Sequence, residues 1–169
     1  MIIRDATSAD IPAILAIWND VIRNSVATFE FVEKTPEGLA AQIEARRAAG
    51  RAFYVAEDAG AVIGFATYDQ FRPSNGYART MEHTVYIDPA AQGRGAARAL
   101  MAAVEDHARK RGAHVMLAVV SGENGVGEAF HARLGYEKVA VIPQLGFKWG
   151  RYFDFVAMQK ILSPAEPKD

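Results

Sequence analysis

Val85-Tyr86-Ile87-Asp88-Pro89-Ala90-Ala91-Gln92-Gly93-Arg94-Gly95-Ala96-Ala97-Arg98-Ala99-Leu100 decides how the chain is read. A β-branched apolar run stops at Asp88-Pro89. A short loop with two glycines follows, and an alanine-rich helical pattern opens at Gly95. That order makes a strand, a tight turn, and a helix whose first backbone N–H groups point into the turn. N–H groups free at a helix start, backed by the helix dipole, form an anion site. The glycines alone leave the anion open. A dinucleotide turn wants Gly-x-Gly-x-x-Gly early in a βαβ unit, whereas this loop lies mid-chain with Arg98 at the third glycine position. A triphosphate loop wants Gly-Lys-Ser/Thr, which does not follow. A plain strand-to-helix turn fits the same residues.

Outward from that turn, the pattern predicts the rest of the fold. Residues 2–5 read as a short strand. Thr7-Ser8-Ala9-Asp10 offers capping side chains, and Pro12 suits a first turn. Ile11, Ile14, Leu15, Trp18, Val21 and Ile22 recur at helical spacing. Residues 24–33 break the pattern, and Thr35-Pro36-Glu37 opens a second helix that stops at Gly50. Residues 52–56 and 61–68 read as a hairpin turning at Asp58-Ala59-Gly60. Residues 70–78 form a loop, and Thr80–Ile87 is the next strand. A helix over 95–111, a central parallel strand over 114–120, a helix over 125–134 and strands over 136–142 and 152–162 complete the order. The order is β-α-α-β-β-β-α-β-α-β-β. It predicts one mixed α/β domain over 1–162, with about seven strands, antiparallel in the first half, flanked by about four helices. Residues 163–169 are expected to be a disordered tail.

Composition narrows the function. The 169 residues are 50% apolar and 23% charged, with a formal net charge of −1. A nucleic-acid partner would want a basic excess. The chain has no cysteine, which excludes disulfides, thiolate metal sites and a cysteine nucleophile. No apolar run reaches the ~20 residues of a membrane span, and the start has no signal-peptide pattern. A cytoplasmic protein without membrane or nucleic-acid partner is expected. The histidines show no metal-ligand spacing, so no metal is expected.

Gln92-x-x-Gly95-x-Ala97, after a strand and opening a helix, resembles the acyl-CoA signature of the GNAT acetyltransferase superfamily. Asn124, followed by His131 and Leu134-Gly135-Tyr136, resembles that family's second element. The predicted order also matches the GNAT fold along nearly the whole chain. Met81-Glu82-His83-Thr84-Val85-Tyr86 and the run from Pro143 to Asp154 are similar to the phosphinothricin and methionine-sulfoximine N-acetyltransferase subfamily. Arg72-Pro73, Thr28-Phe29-Glu30 and His114-Val115-Met116 point the same way. The resemblance implies an acetyl-CoA-dependent enzyme, usually dimeric, acting on the α-amino group of small amino-acid analogues.

Three tasks then fall to named residues. The N–H groups around Gly93, Arg94, Gly95, Ala96 and Ala97 would cradle the pyrophosphate, since small residues let the backbone come close. By resemblance, Val85 and Ile87 pair with the pantetheine arm, which inserts like an extra strand, and Asn124 bonds that arm near its middle. Gln92 belongs to the same motif. Arg94 and Arg98 either touch phosphates or lie on a solvated helix face. A base must take the amine proton, and Glu82 is the candidate, matching the subfamily's catalytic glutamate. A backbone N–H near Tyr86, at a strand bulge usual for the fold, would polarise the thioester carbonyl. His131 is either an acid for the leaving thiolate or a packing residue. His83 must face the other side of the strand from Glu82 and reads as structural.

For a zwitterionic acceptor, Arg72 and Arg79 are candidate carboxylate partners, with Ser74, Asn75 and Gly76 in the same loop. Thr28, Phe29 and Phe31 would form the opposite wall. Lys148, with Trp149 and Gly150, reads as a rim from a second subunit or as dimer packing. The subfamily usually has serine where Gly127 stands, so the Gly122–Gly127 loop is expected to be mobile and its helix start poorly formed. Two rivals remain: an acetyltransferase for another amine (a polyamine, an aminoglycoside or a protein N-terminus), and a non-catalytic CoA-binding module, which needs no base at Glu82.

Overall fold

The computed structural model describes residues 1–163; the expected tail, apart from Ser163, lies outside the described residues. Seven strands form one sheet in the order β1-β2-β3-β4-β5-β7-β6. The elements are β1 (Ile2–Asp5), α1 (Ile11–Asn24), α2 (Pro36–Ala48), β2 (Phe53–Asp58), β3 (Ala61–Gln70), β4 (Thr80–Ile87), α3 (Ala96–Lys110), β5 (Val115–Ser121), α4 (Gly125–Arg133), β6 (Glu137–Lys148) and β7 (Arg151–Ile161). β1 to β4 are antiparallel neighbours, and β4 pairs with β5 in parallel. The mixed α/β fold and its element order agree with the sequence reading.

Strand alternation builds a core on each face. On one side Val55 and Phe65 pack with Ile14, Ile17, Trp18 and Ile22 of α1 and with Leu39 and Ile43 of α2. On the other, Ala56 and Ala66 face Leu100, Met101 and Val104 of α3. Adjacent strand residues thus feed opposite cores, as a two-sided sheet requires. The helix starts follow their capping residues. Asp10 accepts from the Thr7 N–H at 2.8 Å and takes both Arg4 guanidinium nitrogens at 2.8 Å, which holds its carboxyl down at about 2. The Thr35 hydroxyl accepts from Gly38 N–H at the start of α2. Gly50, in the left-handed region at φ 66°, follows its end.

Two features differ from expectation. β6 does not stop at 142 but continues through Pro143 to Lys148. Proline lacks a donor, yet β6 is the edge strand, and the ladder skips from Ile142 to Gly146, so residues 143–145 need no rung. The hairpin then turns at Trp149 (φ 51°) and Gly150 (φ 74°), the two left-handed residues of a tight two-residue turn. The expected bulge in β4 is also absent. Its register with β3 runs unbroken from Gln70–Met81 to Gly64–Ile87.

Candidate active site

The site opens where two parallel strands part. β4 and β5 pair only from Thr80–Val115 to Glu82–Leu117. Beyond that rung β4 continues on β3 and β5 continues on β7, leaving a wedge between them. Parity says which backbone groups face it. The Thr80 carbonyl accepts from Phe71 N–H and the Asp88 N–H donates to Ile63 O, both on the β3 side. In an antiparallel ladder the even positions therefore bond β3; the His83 N–H completes the last rung with β5, and the His83 C=O with the N–H and C=O of Val85 and Ile87 turn into the wedge. Strand divergence, not a bulge, frees these groups. The Tyr86 N–H belongs to the β3 ladder, so the free donors nearest it are those of Val85 and Ile87.

A cleft of about 770 Å³ fills the wedge. Of the expected residues, Glu82, Val85, Tyr86, Ile87, Gln92, Gly93, Ala97, Asn124 and His131 line it, with Thr28 and Phe29 on the far wall. Gly93 and Gly95 adopt φ of 79° and 82°, and a Cβ on either would meet nothing within 4 Å. The first α3 hydrogen bond is Ala99 N–H to Gly95 O. The N–H groups of Ala96, Ala97 and Arg98 therefore have no intrahelical acceptor. That is a nest for an anion beside the free edge of β4, and the pair suits a phosphate carrying an extended amide arm. Arg94 and Arg98 are exposed at its rim, Arg94 lying 3.6 Å from Asp58.

Glu82 is half-buried on the last shared rung, and burial alone pushes its carboxyl above the usual range. Its β3 neighbour Asp69 is bound by Arg46 and Arg51. Tyr86 packs edge-on to Trp18 and Phe65, and burial raises its phenol. Asn124 caps α4, its side-chain oxygen accepting from Gly127 N–H at 3.0 Å. This corrects the expected poor helix start. A Cβ at Gly127 would lie 2.4 Å from Asn124 Nδ2, so the glycine lets the cap fold over it.

His131 is buried. Its Nδ1 donates to the Gly127 carbonyl at 2.7 Å, and burial lowers its pKa. The neutral ring's one proton is therefore committed, and Nε2 is left as an acceptor. A ready general acid at this position is not what the geometry supplies.

The acceptor residues divide. Arg72, Ser74, Asn75, Gly76 and Arg79 are exposed and do not line the cleft; Phe31 is 69% exposed. Lys148 is buried, and its ammonium donates to the carbonyls of Ser25 and Thr28 at 2.7 and 2.9 Å. It holds the wall in place and presents no charge to a ligand. Sequence reasoning missed Lys34, which lines the cleft, pairs with Glu30 at 2.5 Å and lies over the Trp18 ring. The signal was the Glu30-to-Lys34 spacing inside the break between two helices.

Residues 18–136 match the model of the acetyltransferase (GNAT) family. The chain belongs to the GNAT acetyltransferases. It is 41% identical to the L-methionine sulfoximine/L-methionine sulfone acetyltransferase of Pseudomonas paraeruginosa, over 96% of this chain and 95% of that protein. A Salmonella typhimurium structure solved with its cofactor acetyl-CoA superimposes with a TM-score of 0.96 at 36% identity, covering 100% of this chain and 98% of that one. A phosphinothricin acetyltransferase from Sinorhizobium meliloti, in complex with acetyl-CoA, gives 0.93 at 31% identity, over 99% and 93%. As a GNAT fold, the wedge between β4 and β5 and the α3 nest form one candidate cofactor site.

Proposed function

We propose that this chain transfers an acetyl group from acetyl-CoA to the α-amino group of a small amino acid or analogue of the methionine sulfoximine, methionine sulfone or phosphinothricin kind. The observation that carries this reading is the placement of Glu82. It is a half-buried carboxylate without an ion pair among the described residues, at the rung where the β4 edge becomes free. A CoA-binding module has no use for it.

Acetyl-CoA supplies an acetyl group activated as a thioester. The N–H groups of residues 93–98 would hold its pyrophosphate, and the free groups of Val85 and Ile87 its amide arm. Asn124 would reach that arm through its Nδ2, its oxygen being taken by the cap. One of the free β4 N–H groups beside Tyr86 would polarise the acyl carbonyl. Glu82 takes the proton of the attacking amine, and its raised pKa brings it nearer the working pH, where a base is more effective. Thr28 and Phe29 bound the acceptor side. For the acceptor's carboxylate, Lys34 already lines the cleft. Arg72 and Arg79 serve if their loop meets this cleft or that of a second protomer, the loop leaving the β3–β4 hairpin beside Glu82.

A homodimer is part of the reading. Edge strand β6 exposes Val139, Val141, Ile142, Leu145 and Phe147, more apolar surface than a lone edge ordinarily leaves. A cytoplasmic site of action accompanies it. The test is thiol release from acetyl-CoA with a panel of phosphinothricin, methionine sulfoximine, methionine sulfone, common amino acids, a polyamine, an aminoglycoside and a peptide. Turnover is expected with the sulfoximine, the sulfone or phosphinothricin. Turnover confined to the polyamine, aminoglycoside or peptide overturns the acceptor class, and binding of acetyl-CoA without any turnover overturns the enzyme reading.

A further inference from the structure

On the α3 and α4 side of the sheet, five buried side-chain atoms have no hydrogen-bond partner among the described residues. They are both nitrogens of His83, His131 Nε2, the Tyr136 hydroxyl and Glu105 Oε1. They form one cluster. The His83 ring lies 5.0 Å from His131 and 5.7 Å from Tyr136, and His131 lies 5.4 Å from Tyr136, centre to centre. Beyond them Glu105 acts on both Tyr136 and His131, and its other oxygen pairs with Lys160 Nζ at 2.5 Å. The Lys160 side chain is 29% exposed, while His83 and His131 line the cleft. The cluster therefore runs from the cleft to the surface.

An unpartnered buried polar atom is costly to leave without a partner, so several in one place call for bridging water. Tyr136 and Glu105 interact as a side-chain pair, while both nitrogens of His83 and Nε2 of His131 bond nothing among the described residues, which leaves them to water. We propose that His83, Tyr136 and Glu105 hold a file of water joining His131 Nε2 to solvent at Lys160, and that this file protonates the thiolate leaving the acyl donor. The inference rests on the acetyl-transfer reading above.

The protons balance. As the C–S bond breaks, its electron pair stays on sulfur, and sulfur takes a proton from the water at the cleft end. Each water is refilled by the next, and the last by solvent. The attacking nitrogen loses one proton to Glu82, which returns it to solvent. His131 has no proton of its own to give, because Nδ1–H is bound to Gly127. His83 is a positioning residue that acts through the water. Burial holds it neutral, with its pKa lowered to about 3, so one nitrogen donates and the other accepts. The charged and titratable groups facing it are His131 from α4, Tyr136 after it, Glu105 from α3 and Lys160 from β7. Glu82 points to the opposite face of β4.

The test measures kcat of His83→Phe and Glu105→Gln against rising imidazole at constant pH and ionic strength. A file that has been cut should let a small buffer acid stand in for it. Both variants are expected to lose about tenfold in kcat, less than the ~10² of a directly acting acid, with the KM for acetyl-CoA unchanged. Imidazole is expected to restore their rates and to leave the wild type unaffected. A wild-type kcat in either variant, or a loss that imidazole does not restore, overturns the proposal. If His83→Phe fails to fold, Glu105→Gln at the outer end decides alone. Failure of the underlying reading is distinct, since the wild type would then turn over no acceptor.

Discussion

Glu82 shows how position converts an ordinary side chain into a base. On a fully paired strand it would be one more solvated carboxylate. Here it sits on the last rung before β4 and β5 part, and burial raises its pKa. A base works only when deprotonated, so the rate must fall as pH drops through the Glu82 pKa. The raised value places that acid limb above the ~4.3 of an exposed glutamate. Glu82→Gln is expected to keep acetyl-CoA affinity, lower kcat by at least ~10² and remove the limb. Isothermal titration and a pH–rate profile check both halves, and an unchanged rate sinks the base assignment. Lys148 teaches the opposite lesson. As a sequence it reads as a rim charge, but the side chain turns inward to bond two carbonyls. Nothing local distinguishes the two fates, because the turn at Trp149-Gly150 and the distant Ser25–Thr28 segment decide between them.

At the scale of elements, the β6–β7 hairpin seats the acceptor wall. Phe29 lies over Gly146, where a Cβ would come within 2.5 Å of its ring, and 5.8 Å from Phe153. Gly146→Ala must push Phe29 toward the cleft. The KM for the amine is expected to rise several-fold while acetyl-CoA affinity holds, since the cofactor residues lie on other elements. Steady-state kinetics with each substrate varied separates the two. At α4, Gly127→Ala sets two terms against each other. Alanine favours the helix by about 1 kcal/mol, and displacing the Asn124 cap costs about the same. Thermal melting is expected to change little, while the acetyl-CoA KM rises because Asn124 has moved. What was legible follows the same division. Periodicity, caps and the glycine turn predicted the element order and the parallel β4–β5 pair, both set by local sequence, while the family resemblance pointed to Val85, Ile87 and Asn124, which line the cleft. Continuation of β6 past Pro143 depended on its being an edge. The freed N–H groups of β4 came from strand divergence, a relation between distant segments. The loop carrying Arg72 and Arg79 has residue types suited to a carboxylate, yet its place outside the cleft is set by the hairpin it closes.

For the molecule as a whole, the sheet is finished at one edge and open at the other. At the β1 edge, Met1 and Arg4 are tied by ion pairs to Asp58, Asp10 and Glu57. At the β6 edge the side chains alternate little between polar and apolar, and Val141, Leu145 and Phe147 are 51%, 56% and 48% exposed. Trp149 and Tyr152 extend the same apolar surface around the hairpin turn. An edge strand carrying that much exposed apolar surface invites pairing, and a second copy brings the same surface to it across a two-fold axis. The hairpin also anchors Phe29 and Ser25–Thr28, so an interface there would stiffen the acceptor wall from behind. Sedimentation equilibrium of the wild type is expected to give a dimer. Val141→Lys combined with Leu145→Lys places like charges against each other across that axis and is expected to give a folded monomer. The monomer should bind acetyl-CoA as before, because the α3 nest and the β4 edge lie on other elements, and should show a raised KM for the amine. A wild-type monomer overturns the dimer, and a dimer that survives both lysines places the contact elsewhere.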